Sequence, residues 1–222
     1  MKYRWLRMQR WRLARRGYAE PMRGLLSSSL PRLSTPFTGV EFVALDIETT
    51  GLDAATADML SVGWVLVQDG RIRLDTAKSY IVRPRHGVGD SASVHGLTDT
   101  VVKAGLDWET VLDRIVDELG GRVLLVHHAG LDKALLDRMC QRRFGTRLHI
   151  PVSDTLELEL RKQRNKHHLE EGASLRLSDL RDFYGLPRYS AHDCLIDAIA
   201  TAELLIAMVA HGKKVSLADV LT

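Results

Sequence analysis

A short apolar run that contains two acids, at residues 42–48, most narrowly limits how this chain can fold. The run reads Phe-Val-Ala-Leu-Asp-Ile-Glu, and Thr-Thr-Gly follows it. Its apolar start predicts a buried strand that ends near Glu48. Because side chains alternate along a strand, Asp46 and Glu48 point to the same side of the sheet. Two like charges there are costly unless a cation lies between them. The pair therefore indicates either a divalent metal site or two solvated acids where the strand enters a loop.

The remaining periodicity predicts an α/β fold in which helices flank a mixed sheet. Two further strands follow the first, with Asp69-Gly70 as the turn between them, and these three strands predict an antiparallel meander. After them, helical periodicity alternates with short apolar segments. The later predicted strands are residues 59–67, 71–82, Val123–Val126 and 151–155, and the predicted helices are residues 108–119, 131–144, 175–184 and 193–209.

Composition excludes several classes of protein. The 222 residues suffice for one large domain with a buried core. Two cysteines, Cys140 and Cys194, are too few for a disulfide framework and indicate a reducing compartment, so we expect a cytoplasmic protein without structural zinc. The apolar runs are shorter than a membrane span.

Charge is divided unevenly along the chain. Residues 1–40 carry nine Lys or Arg and one acid, a charge of +8, whereas the remaining residues carry 22 bases and 27 acids, a charge of −5. Serines, prolines and a glycine within residues 24–40 predict a linker. We therefore divide the chain into a basic N-terminal extension with linker, residues 1–40, and a second domain, residues 41–222.

The basic extension has helical spacing in its first part, where Trp5, Met8 and Arg12 recur on one side. A short basic helix with some apolar surface would grip nucleic acid, dock a partner or lie on an anionic membrane. The alternative is a disordered, dispensable tail.

Three more residues are candidates for the chemistry of the acid pair. Asp132 follows the apolar strand Val123–Val126, where open α/β sheets tend to place their ligands. The alternative for Asp132 is a helix-start acid that favours the helix dipole. His192 and Asp197 are five residues apart and would differ by about 140° on one helix, so pairing them requires His192 in the loop before the helix, with Asp193 as its cap. Asp197 otherwise lies on the polar face of that helix.

Together these residues resemble the DEDDh exonuclease family, which includes the proofreading epsilon subunits of bacterial DNA polymerase III and their stand-alone homologues. The matching segments are residues 42–51, 94–99, 127–132, 154–156 and 192–198, and the resemblance covers about residues 41–210. One segment departs from the family pattern, since His128 and Leu131 stand where Asn and Phe are usual. That change puts the packing of substrate near His128 in doubt, whereas Asp132 itself is retained.

The resemblance implies a ribonuclease H-like fold with a mixed five-stranded sheet and a two-metal site. Asp46, Glu48, Asp132 and Asp197 would hold two divalent ions, Mg²⁺ or Mn²⁺, and His192 would act as general base. The expected reaction is 3′→5′ removal of nucleoside 5′-monophosphates from single-stranded ends, preferably of DNA. Rival interpretations are an exoribonuclease acting on RNA 3′ ends and a catalytically idle module that binds ends and recruits a partner. A proofreading role would require a polymerase partner.

Weaker candidates surround this set. The resemblance implies that the loop after the acid pair contacts the terminal nucleotide, and that His95 and His128 lie near substrate. Each has an ordinary alternative, a turn or a surface histidine. The basic run at residues 161–166 would track a phosphate backbone or form a solvated face. The substrate-binding candidates are Thr49, Thr50, Gly51, Leu52, His95 and His128.

Overall fold

The protein is an α/β structure built around one sheet. The computed structural model describes residues 2–84, 104–165, 174–190, 192–210 and 215–222. The strands are β1 Phe42–Thr49, β2 Met59–Gln68, β3 Arg71–Ile81, β4 Val123–Val126 and β5 Val152–Asp154. The helices are α1 Lys2–Leu13, α2 Met22–Ser27, α3 Trp108–Glu118, α4 Ala129–Phe144, α5 Thr155–Asn165, α6 Leu177–Phe183, α7 Cys194–Ala210 and α8 Leu217–Val220.

Strand β1 occupies the centre of a five-stranded sheet of order β3-β2-β1-β4-β5. It pairs antiparallel with β2, which pairs antiparallel with β3, and it pairs parallel with β4, which pairs parallel with β5. The predicted meander and the mixed five-stranded sheet are therefore confirmed.

Both faces of β1 are covered, which explains its apolar sequence. Val43, Leu45 and Ile47 belong to a core shared with residues of α3 and α4. Phe42 and Ala44 belong to a second core, which α7 covers from the other side. Because side chains alternate, Asp46 and Glu48 continue the α7 side beyond the point where its apolar core ends.

The N-terminal segment folds onto this sheet. Met22 and Leu25 of α2 are fully buried among residues of the α3–α4 core, and Phe37 and Val40 join the α7 core. The linker predicted for residues 24–40 is therefore wrong as a description of structure, because apolar residues between its serines and prolines supply core contacts. The division into two sequence modules at residue 40 stays a prediction.

Most predicted elements differ from the observed ones by one or two residues. Helix α2 was hidden by linker-like composition, and α5 was hidden because its charged sequence has a weak apolar stripe. None of the described helices has the length and apolar character needed to span a bilayer.

Candidate active site

Three of the predicted acids converge at the carboxyl end of β1. Carboxylate oxygens of Asp46, Glu48 and Asp197 all lie within 4.8 Å of one another. Asp46 and Glu48 come from one strand, as alternation requires, and Asp197 comes from the first turn of α7. Glu48 is buried, with 8% of its surface exposed. The structure thus brings together side chains that are about 150 residues apart in sequence.

A glycine on the neighbouring strand allows this approach. Gly63 of β2 pairs directly with Asp46 across the sheet. A Cβ atom at Gly63 would lie 2.4 Å from the Leu195 backbone nitrogen and 2.6 Å from the Cys194 carbonyl carbon. Only a residue without a side chain lets the start of α7 rest on β2 at this point. Gly63 therefore sets the position of Asp197 relative to Asp46, a role that the sequence analysis missed.

His192 lies immediately before α7, as its spacing from Asp197 requires. Its backbone amide donates a 2.9 Å hydrogen bond to Asp197 Oδ2, and its own φ of +73° is in the left-handed region. Asp193 accepts the amides of Leu195 and Ile196 at 3.0 and 3.1 Å, which confirms it as the helix cap. The exposed His192 residue is thereby held beside the acid cluster.

Asp132 joins the cluster electrostatically from the first turn of α4. Its residue is 5% exposed, and it lies outside the group whose oxygens approach within 4.8 Å. Burial, followed by the charges of Asp154 and Glu48, raises the pKa of Asp132 to about 8. Burial and then the charges of Asp132, Glu48 and Asp197 hold the pKa of Asp46 well above its usual value.

Asp197 shows the same tendency. Burial raises its pKa, and the hydrogen bond from the His192 amide works in the opposite direction. Burial, together with the repulsion of Asp46 and Asp132 by neighbouring carboxylates, makes the ionised form of this site costly until a cation enters it. An oxygen-rich donor set of this kind fits hard divalent cations, and the residues present are therefore suitable for the expected metals.

A fifth acid, Asp154 at the end of β5, organises the loop that carries Asp132. Its carboxylate accepts the amides of His128 and Ala129 at 2.9 and 2.8 Å, and that of Leu156 at 3.0 Å. One buried carboxylate thus satisfies the first amides of both α4 and α5. In the sequence Asp154 lies in one of the segments that resemble the family, but nothing in its spacing predicts this role.

The loop after β1 is fixed at its base and open at its tip. Thr49 Oγ1 donates to the Gly51 carbonyl at 2.7 Å, and Thr50 exchanges two hydrogen bonds with the backbone of Asp58 at 2.9 and 3.0 Å. A Cβ at Gly51 would meet nothing within 4 Å, and Leu52 is 91% exposed. The loop therefore presents backbone and an apolar side chain to whatever enters the site.

His128 occupies an unusual backbone conformation, with a φ of +82°, at the start of α4. Asn and His are both enriched in the left-handed region, so His in the usual Asn position keeps the backbone geometry. Predicted candidate His95 lies outside the described residues.

The basic run at residues 161–166 is partly engaged within the fold. Arg161 donates to the carbonyls of Leu221, at 2.9 Å, and Asp219, and Lys162 donates to the Tyr184 hydroxyl at 2.6 Å. These contacts attach α5 to the C-terminal segment and to the end of α6. They favour a structural interpretation of Arg161 and Lys162.

Comparison with known proteins agrees with this geometry. A family model described as "Exonuclease" (RNase_T) matches residues 43–205. The PolC-type DNA polymerase III of Caldanaerobacter subterraneus subsp. tengcongensis is 28% identical over 181 residues, which are 81% of this chain and 12% of that protein. The PolC-type polymerase of Halalkalibacterium halodurans is 30% identical over 175 residues, which are 78% of this chain and 12% of that protein. The chain thus spans 12% of the length of these curated relatives.

Solved structures share the architecture. The zinc-bound complex of E. coli ExoI with single-stranded DNA has a TM-score of 0.63 at 16% identity, covering 78% of this chain and 41% of that one. Cell-death related nuclease 4 (CRN-4) has a TM-score of 0.64 at 16% identity, covering 82% of this chain and 67% of that one. Exonuclease X in complex with 5′ overhanging duplex DNA has a TM-score of 0.57 at 23% identity, covering 82% and 98%. The expected ribonuclease H-like fold is thereby confirmed.

Proposed function

The chain belongs to the exonuclease family, and from that premise we propose that it removes nucleotides one at a time from single-stranded 3′ ends, with DNA as the preferred substrate. The resemblance to DEDDh exonucleases is confirmed by this membership. The observation that carries the proposal is the convergence of Asp46, Glu48 and Asp197 within 4.8 Å at the carboxyl end of the central strand.

Asp46, Glu48, Asp132 and Asp197 would hold two divalent ions, Mg²⁺ or Mn²⁺. When bound, such ions activate the attacking water and stabilise the charge on the attacking and leaving oxygens. Asp46 is suited to a shared position because it is electrostatically coupled to all three other carboxylates. Asp132 would add its carboxylate to this set from the first turn of α4.

His192 would remove the proton from the attacking water. Its exposure and the attachment of its amide to Asp197 support this role, because the backbone holds the residue beside the acid cluster while the residue stays exposed. The loop Thr49, Thr50, Gly51 and Leu52 would receive the terminal nucleotide, with the exposed Leu52 against the base and the Gly51 backbone near the sugar. His128 and His95 would contact the same end of the strand.

Two findings favour DNA and a replication or repair setting. The curated relatives are PolC-type DNA polymerases, and two of the solved structures that share this fold are complexes with DNA. From the same relatives we propose that the protein works with a polymerase partner in the cytoplasm. The acid cluster itself serves any phosphodiester.

The deciding experiment is a side-by-side digestion of single-stranded DNA, duplex DNA and RNA of matched sequence, labelled at the 5′ end so that shortening from the 3′ end appears as a ladder. We expect a ladder on single-stranded DNA with Mg²⁺ or Mn²⁺ and none in EDTA. Asp46→Asn should abolish the ladder, whereas Asp117→Asn, an exposed acid on α3, should not. A faster ladder on RNA would overturn the DNA preference, and binding without any ladder would leave an idle end-binding module.

A further inference from the structure

Helix α1 lies outside the segment that the exonuclease family model matches, yet it is fixed to the domain at defined points. Arg10 is 3% exposed and donates to the carbonyl of His149 at 2.8 Å, to the carbonyl and hydroxyl of Ser28 at 2.9 and 3.0 Å, and to the Leu25 carbonyl. Tyr3 donates from its hydroxyl to the Pro31 carbonyl at 2.6 Å. These contacts hold the helix in one orientation, which argues against a dispensable tail.

The docking divides α1 into two sides of different chemistry. Tyr3, Leu6, Gln9, Arg10 and Leu13 face the protein and are buried or half-buried. The outward side mixes large apolar residues with arginines. It consists of Arg4, Trp5, Arg7, Met8, Trp11 and Arg12, together with Arg15 of the turn that directly follows α1, all of them exposed.

The two outward indoles are unusually open. Trp5 is 57% and Trp11 58% exposed, and the guanidinium of Arg15 lies 3.3 Å from the centre of the Trp11 ring. None of the ion pairs found among the described residues involves an arginine of this outward side, and α1 contains no acid. The surface therefore carries positive charge that the described part of the protein does not neutralise.

A groove of about 350 Å³ runs between this helix and the segment formed by the end of α2 and the residues after it. Arg7, Trp11 and Arg15 line one wall, and residues 26–30, which include three successive serines, line the other. Arginines for phosphates, hydroxyl groups for sugar and phosphate oxygens, and an indole for a base are the features with which proteins bind single-stranded nucleic acid without reading its sequence.

We propose that the outward side of α1 and this groove form a second binding site for single-stranded nucleic acid, which holds the strand at a distance from the reacting 3′ end. The choice of polymer rests on the proposed function. An anionic membrane fits less well, because a helix that lies on a bilayer separates its apolar and basic sides, whereas the outward side of α1 mixes them.

The position of the groove predicts how long a strand must be to use it. A Cβ atom at Gly121, which precedes β4, would lie 3.3 Å from the Ser29 carbonyl oxygen, and β4 pairs with the first residues of β1. The groove thus lies at the amino ends of these strands, and the acid cluster lies at the carboxyl end of β1. Eight strand residues span roughly 25 Å, and a stacked strand advances about 3.4 Å per nucleotide, so about seven nucleotides separate the sites along the shortest path.

The test compares two double variants that each remove one exposed base and one exposed apolar side chain. Arg7→Gln with Trp11→Ala alters the groove, and Arg71→Gln with Leu74→Ala makes the matched change on the β2–β3 hairpin. Binding of fluorescent single-stranded oligonucleotides of about 4 and 20 nucleotides is measured by anisotropy in EDTA, which prevents digestion, at several salt concentrations. Thermal melting establishes that both variants are folded.

We expect the groove variant to bind the 20-nucleotide strand at least about fivefold more weakly, the change that corresponds to the lower limit for one stacked base. Its slope of log affinity against log salt should fall by about 0.7, the value for one lost phosphate contact. The hairpin variant should match the unmodified protein, and the 4-nucleotide strand should not distinguish the variants. Quenching of tryptophan fluorescence by the long strand should also decrease in the groove variant.

Equal affinities and parallel slopes for both variants would overturn the proposal. It would equally be overturned if the groove variant lost binding to vesicles of anionic lipid while keeping its affinity for the long strand. Because these measurements involve no hydrolysis, a protein that digests nothing but loses long-strand binding in the groove variant would refute the proposed function and leave this site standing.

Discussion

The two ends of β1 carry opposite charges, and the protein supports those charges in opposite ways. At the carboxyl end, acids from three elements are brought together, and burial raises the pKa values of Asp46, Asp132 and Asp197, with repulsion between carboxylates adding to the rise at Asp46 and Asp132. At the amino end, arginines and indoles stand in water, and one buried arginine, Arg10, has its charge satisfied by carbonyls and a hydroxyl. The acid cluster at the carboxyl end lowers the stability of the folded protein until a cation binds, whereas the exposed bases at the amino end change that stability little.

This contrast separates two kinds of function. A site whose charges repel one another is stabilised strongly by its ligand, and a single substitution there should cause a large loss of activity. At a site made of exposed bases, each base that is removed should lower the binding affinity by a small and nearly equal amount. Substitutions at the two ends should therefore differ in size and in kind.

The largest effect is expected from Asp46→Asn. Turnover should fall by about 10³–10⁵-fold, the contribution typical of one charge-stabilising group in phosphoryl transfer. Thermal stability in EDTA should rise at the same time, because one of the mutually repelling charges is gone. Digestion rates and melting curves check both statements, with Asp117→Asn as the control. An active Asp46→Asn protein would break the comparison at its strongest point.

Next in size is the removal of the imidazole of His192. His192→Ala should lower turnover by about 10²–10⁴-fold with the metal-dependent rise in melting temperature retained. His192→Asn provides a control for backbone strain, since Asn adopts positive φ readily. Equal losses in both variants identify the imidazole as the missing group. If metal stabilisation disappears instead, His192 is a ligand or a structural residue.

A smaller loss is expected from Gly63→Ala. The added methyl group would push the start of α7 away from β2, and a displacement of about 1 Å at a reacting centre costs about 10²-fold in rate. Stability should also fall by about 1–3 kcal/mol, as in other overpacked sites. Gly51→Ala is the comparison, because its new methyl group meets no protein atom. It should leave stability and metal binding unchanged, and normal metal binding in Gly63→Ala would show that Asp197 had not moved.

The smallest effect concerns pH and metal. A carboxylate whose pKa is raised by folding stabilises the folded state below its unfolded pKa, and this stabilisation is lost as pH rises through the folded value. With the pKa of Asp132 raised to about 8, and those of Asp46 and Asp197 also raised, the melting temperature in EDTA should fall between pH 5 and pH 9.

Divalent metal should remove most of that fall. At a concentration about a hundredfold above its Kd, it should raise the melting temperature by roughly 5–10 °C at neutral pH, since such binding contributes about 2.7 kcal/mol. A melting temperature that is independent of metal across this range would contradict a preformed acidic site. The exposed arginines of α1 predict no comparable dependence.

The same contrast explains what the sequence revealed in advance. Asp46 and Asp197 are acids within apolar runs. Because such a position is unusual for an acid, both could be identified from the sequence as candidate site residues. The strands β1 and β4 could be predicted from their apolar runs because they are buried on both faces. Roles that depend on packing between distant segments remained hidden. Gly63 is an ordinary strand glycine until α7 is placed upon it, and Asp154 is an ordinary acid until three amides converge on it.

The N-terminal segment was misjudged for a related reason. Serines and prolines suggested a linker, but the burial of Met22 and Leu25 depends on a sheet face that forms from residues much later in the chain. In the sequence nothing distinguishes Arg10 from Arg7 or Arg12, because its role depends on the carbonyls that surround it in the fold.

The direct pairing of Asp46 with Gly63 has a consequence for how the chain acquires activity. A slip of one residue between β1 and β2 would either place a side chain of β2 beneath α7 or turn Asp46 and Glu48 away from Asp197. Molecules with the wrong strand register would therefore be inactive, so that hydrolysis would begin only after correct folding. Recovery of hydrolysis after dilution from denaturant would then report the rate at which these two strands reach their correct alignment.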